Sequence, residues 1–111
     1  MSQIPRYCNY INARIDELNA AEHYAVTEHA RIRLYEREIT LDDVMCCVSN
    51  GEIIEQYEND KPLPSCLVLG MAVRGKFIHI VISRDDEFIY LITAYYPDEQ
   101  QWNSDFKTRR K

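Results

Sequence analysis

Glycine and proline are scarce, with three and four in 111 residues, and this excludes collagen-like, low-complexity and linker-rich chains. Long apolar runs are missing as well. None approaches the roughly 20 residues a membrane helix needs, and the opening segment MSQIPRYCNY has no apolar centre of the kind a secretory signal carries. A cytoplasmic protein without a membrane partner is expected. The four cysteines, Cys8, Cys46, Cys47 and Cys66, show no CxxC pair, and His23, His29 and His79 lack a ligand spacing for metal. Reduced thiols packed as small core residues, and no metal or other cofactor, are the expectation. Basic charge is also not in excess. A formal net charge of −5 argues against holding nucleic acid by bulk electrostatics, since such binders show a basic face.

What the chain does have is the composition of an ordinary globular protein, 46% hydrophobic and 28% charged residues, without repeats or low-complexity tracts. Its length suits one domain over 1–111, with frayed ends at 1–10 and 107–111. Lys107, Thr108, Arg109, Arg110 and Lys111 bring four positive charges together. A solubilising tail explains them, and so does attraction for phosphate or an acidic partner.

Apolar residues Ile11, Ile15 and Leu18 recur at helical spacing and predict a helix near 11–22. Thr27 is a good N-cap, with Glu28 in the first turn and Arg37 in the last, for a helix over 28–37. Thr40 repeats the capping chemistry for a third helix over 41–50, which Gly51 stops. After Gly51 the pattern changes to β-rich runs near 52–58, 66–72, 76–83 and 88–96. The fold class is therefore α+β, with N-terminal helices packed on a roughly four-stranded antiparallel sheet. Ile54, Leu69, Ile80 and Ile92 are expected in the shared core. Trp102 and Phe106, four residues apart, suggest a short helix that covers part of the sheet or receives a partner.

Chemistry enters at His29, Arg33 and Arg37. At 100° per residue these three span about 80° of one helix surface, bordering the apolar stripe of Ala30 and Leu34. Guanidinium groups can grip phosphate in bidentate fashion, and imidazole transfers protons near neutral pH. Ion pairing of the two arginines with Glu36 and Glu38 is the structural alternative. On the strand around His79, alternation places Ile78, Ile80 and Ile82 on one face and Phe77, His79, Val81 and Ser83 on the other. The isoleucines should meet the helices, leaving His79 on a face that is open or partly covered. In the last strand Thr93 and Tyr95 are expected to share a face with Ile89 and Leu91; Glu55 and Tyr57 share one in the first.

The ordered series Thr27, His29, Ala30, Arg33, Arg37, Ile39, Thr40; Gly51, Glu52, Ile53, Ile54, Tyr57; Leu67, Gly70; Ile78, His79; and Thr93, Tyr95, Pro97, Trp102 resembles the bacterial family catalogued as domain of unknown function 4258. The resemblance runs through nearly the whole chain from about Ile11. That family is similar to compact toxin ribonucleases grouped with barnase, EndoU and RelE-like proteins, whose members often sit beside a small antitoxin. The resemblance thus implies a metal-independent ribonuclease that cleaves RNA by acid–base transesterification. His29 and His79 would be its acid–base pair, Arg33 its charge stabiliser, and Tyr95 a further catalytic group. Arg37, Tyr57 and Thr93 would bind substrate, and an antitoxin protein would be the partner. The alternative is a noncatalytic module of a toxin–antitoxin-like system that binds protein or nucleic acid through the same strip.

Overall fold

Two threonines set where the helices start. The Thr27 hydroxyl accepts the Ala30 amide at 3.1 Å, opening a helix over Glu28–Glu36. Thr40 and Asp43 exchange amide-to-side-chain hydrogen bonds, both 3.0 Å long, in a full capping box that opens the helix Leu41–Asn50. The computed structural model describes residues 15–61, 63–102 and 105–107. Expectations for 11–14, Cys8 and Arg109 lie outside those residues. Along the chain run a helical segment over 15–20 (α1), β1 (Tyr24–Val26), α2 (Glu28–Glu36), α3 (Leu41–Asn50), β2 (Glu52–Tyr57), β3 (Ser65–Met71), β4 (Phe77–Arg84) and β5 (Ile89–Tyr95).

The strand order is β1-β5-β4-β3-β2. The four strands expected from the sequence form an antiparallel meander, but the sheet has five strands and is mixed. β1 pairs parallel to β5, with Tyr24 opposite Ile89 and Val26 opposite Leu91. Three residues are too short to show alternation, so a segment that reads as a connector is recruited as an edge strand by the exposed outer side of β5. Its own side chains help to seat it: the Tyr24 hydroxyl donates to Asn19 Oδ1 at 2.6 Å, and Asn19 Nδ2 donates to the Met45 carbonyl at 3.1 Å.

Ile78, Ile80 and Ile82 pack with Ala30, Leu34, Val44, Cys47 and Val48, as the alternation requires. Cys47 and Cys66 are buried thiols. Burial, with help from neighbouring Cys46 and Asp43, pushes the Cys47 thiol up to about 12, so it stays protonated at neutral pH. Of the four residues expected in the shared core, only Ile80 joins it. Leu69 is buried, but on the other face, where it pairs with His79. Ile54 and Ile92 sit where pairing registers shift, between Ile53 and Glu55 and between the partners of Val81 and Ile82. Ile92 is consequently 42% exposed. Each bulge adds a residue and reverses the facing of the residues beyond it. Thr93 and Tyr95 therefore pair with Val81 and His79, on the opposite face from Ile89 and Leu91.

That second face has its own cover. The chain turns back after β5 and buries Trp102 to 2% exposure. Trp102 docks as expected, but without the expected helix: 99–101 and 105–107 are turn and bend, and Phe106 has φ +58°.

α3 and β3 approach so closely that Gly70 has no room for a side chain. An added Cβ would lie 2.7 Å from both the Cys47 Cα and its carbonyl carbon, and closer still to its oxygen. Gly70→Ala is expected to cost about 1–3 kcal/mol by this overpacking, read as a lower urea midpoint. An unchanged midpoint would mean that α3 is not seated against β3.

Asp43 ties the start of α3 to the β3–β4 turn through the Val73 amide, 3.1 Å away. Burial opposes ionisation of this carboxyl, but hydrogen bonds from Thr40 and Val73 and the Arg74 charge together hold it below its ordinary value. A depressed folded pKa means stability that is complete above the unfolded value, about 3.9, and lost as pH falls through the lower folded one. Thermal melts between pH 2 and 7 should show a shallower acid loss in Asp43→Asn than in wild type. Parallel curves would remove Asp43 from this role.

Candidate functional site

α2 carries the cationic strip. His29 lies in its first turn and is exposed. Arg33 stands one turn further on, about 6 Å along the axis, and donates to Glu36 Oε1 at 3.1 Å. Both partners of that ion pair are substantially exposed, 43% and 54%, so solvent screens it and little energy holds Arg33 there.

Arg37 is placed differently. Its Nη1 donates to the Ala94 carbonyl at 2.8 Å and to the Thr93 hydroxyl at 3.2 Å. β1 ends opposite Leu91, so beyond that point no strand among the described residues lies beside β5, and the guanidinium fills the gap. The turn after α2 aims it there. Glu38 adopts φ +57°, its amide bonds to the Tyr35 carbonyl at 3.2 Å, and the Ile39 amide bonds to Leu34 at 2.9 Å. This is a Schellman-type stop. Arg37 thus pins the end of the strip to the sheet, and Thr93 acts as its acceptor.

His79 occupies the other face and is fully buried. Its Nε2 donates to the Phe106 carbonyl at 2.7 Å, which fixes a proton on that nitrogen because a carbonyl only accepts. The imidazole packs edge-on to Trp102, centroids 4.5 Å apart, and to Tyr95 at 5.4 Å. Beyond it Phe106 meets Phe77 at 5.9 Å, and Lys107 Nζ reaches Glu52 Oε1 at 2.6 Å. The C-terminal segment accordingly crosses the face from β5 to β2. Tyr57 bonds to Glu55 at 2.6 Å on β2, three strand spacings or about 14 Å from β5.

The structure brings Arg37 together with Thr93, and His79 together with Tyr95. It does not bring His29 to His79. Ile78 and Ile80 face the helix layer, so alternation turns His79 away from it; the sheet lies between the two imidazoles, and Trp102 seals the second. The expected open or partly covered His79 face is corrected accordingly. Tyr57 stands apart from both clusters. Reasoning from the sequence also misses the far flank of α2, Arg31 and Tyr35. The signal is there, because Tyr35 falls about 140° around the helix from Ala30, outside the buried stripe.

Among the described residues no three His, Cys, Asp or Glu side chains gather as a metal site, and no helix is long and apolar enough to cross a membrane. A helical layer on one face of a mixed sheet, with a cationic helix strip pinned at the sheet edge, defines the class as a small α+β domain. The model of the family described as Domain of unknown function (DUF4258) matches residues 26–96, and the chain belongs to that family. No curated protein and no solved structure matches it. The matched span holds the α2 strip and β2 to β5, and ends before Trp102.

Proposed function

We propose that this chain is a metal-independent endoribonuclease of the toxin type, akin in fold to the barnase, EndoU and RelE-like group, with its reaction centre on α2. The observation that carries this reading is the exposed His29, with Arg33 one turn away, on a helix whose far end Arg37 pins to β5. His29 takes the proton from an RNA 2′-hydroxyl as its oxygen bonds to the adjacent phosphorus. The bond to the 5′-oxygen breaks, and water protonates that leaving oxygen. Arg33 exchanges Glu36 for the phosphoryl oxygens and stabilises their charge. Arg37 and Thr93 position the helix, while His79 and Tyr95 support the sheet beneath. The partner would be an antitoxin protein that covers the strip.

One observation favours a second reading, a noncatalytic module that uses the same strip to bind RNA or an acidic protein. With His79 sealed on the opposite face, His29 is the one imidazole of the strip, and the expected His29–His79 acid–base pair does not form. Incubating purified wild-type, His29→Ala and Arg33→Ala proteins with RNA, alone and with ribosomes, separates the two. Cleavage that disappears in both variants supports the nuclease; intact RNA in the wild-type lanes supports the binding module.

A further inference from the structure

α2 has a second flank, across the Ala30–Leu34 stripe from the His29 strip. There Tyr35 is 86% exposed, the most exposed of the large hydrophobic side chains among the described residues. Beside it runs an open groove of about 310 Å³ lined by Val26, Arg31, Leu34, Tyr35, Ile39 and Leu41. Leu34 and Ile39 are buried, at 7% and 4% exposure, and make an apolar floor; Leu41 is 40% exposed. Arg31 is the one charged residue of the six, so the groove is apolar with a single positive charge.

An aromatic ring, an aliphatic floor and a guanidinium together match an unstacked nucleobase. Its flat faces need apolar or aromatic surface, and its own phosphate needs a cation close by. The groove also lies on the helix that carries His29 and Arg33.

We infer that the Tyr35–Arg31 groove binds one nucleobase of single-stranded RNA, stacked on Tyr35 with its phosphate at Arg31; this rests on the RNA reading above and adds a base-holding subsite to it. The subsite orients the strand as it crosses α2, and it tolerates any base because every base has a stacking face.

The test is binding of a short 2′-O-methylated RNA oligonucleotide, which cannot be cleaved through its 2′-oxygen, measured by fluorescence anisotropy. Tyr35→Ala should weaken binding about fivefold to 150-fold; Tyr35→Phe should retain it, and Arg31→Ala should weaken it and flatten its salt dependence. An oligonucleotide of abasic residues should bind wild type and Tyr35→Ala equally. If Tyr35→Ala binds normal RNA as wild type does while Arg33→Ala does not, the groove is not a base site and the RNA reading stands. If wild type binds no RNA, both fall. If Tyr35→Ala changes only the protein's sedimentation, the groove is a protein contact and the inference is overturned.

Discussion

Purified His29→Ala protein is expected to cleave RNA about 100- to 10,000-fold more slowly than wild type, the range general acid–base catalysis contributes. Its unfolding should be unchanged, because the imidazole is exposed and supports no packing. Arg33→Ala should fall comparably, since it removes the charge that would meet the phosphoryl oxygens, while loss of its screened pair with Glu36 costs little stability. Arg33→Lys keeps the charge but not the bidentate fork, so it should recover only part of the rate. EDTA should leave the wild-type rate unaltered. His79→Ala gives the contrasting arm. Its side chain is enclosed by Trp102, Tyr95 and the Phe106 carbonyl, so the main loss should be stability. If a folded His79 variant is inactive while His29→Ala cleaves normally, the chemistry belongs to the opposite face of the sheet.

Trp102→Ala should lower stability by about 3–5 kcal/mol, the usual cost of deleting a large buried aromatic. The indole is 2% exposed and covers a face that also contains Leu67, Leu69 and His79, so its removal leaves a cavity and opens a buried polar imidazole to water. Trp102→Phe keeps part of the packing and should cost clearly less. Urea unfolding monitored by circular dichroism measures both, and a Trp102→Ala loss under about 1 kcal/mol, below the usual range for such a deletion, would mean that the C-terminal segment does not hold this face. Equal losses for the two variants would show that a phenyl ring recovers none of the packing and that the contribution depends on the full indole.

Much of the fold is legible because it is written in neighbouring residues. Thr27 and Thr40 are caps whose hydrogen bonds close within three residues. The alternation of Ile78, Ile80 and Ile82 selects the face that meets the helices. The strip of His29, Arg33 and Arg37 arises from helical spacing alone, beside the apolar stripe of Ala30 and Leu34. Ile54, Ile92, Thr93 and Tyr95 depart from expectation for one reason. Alternation holds only while register holds, and a bulge is a property of two paired strands that neither strand announces by itself.

By itself, then, the sequence determined the α+β class, the starts of α2 and α3, the four antiparallel strands and the composition of the α2 strip, because propensity, capping and periodicity act over a few bonds. Only the tertiary structure decided that Tyr24–Val26 becomes a parallel edge strand, that Arg37 closes the edge of β5 through Ala94, and that His79 lies sealed under Trp102 away from His29. Each of these depends on which backbone edge or side-chain face is left without a neighbour once the sheet has assembled. That vacancy exists only in the folded chain, where distant segments compete to satisfy the same hydrogen-bonding groups and to cover the same apolar surface.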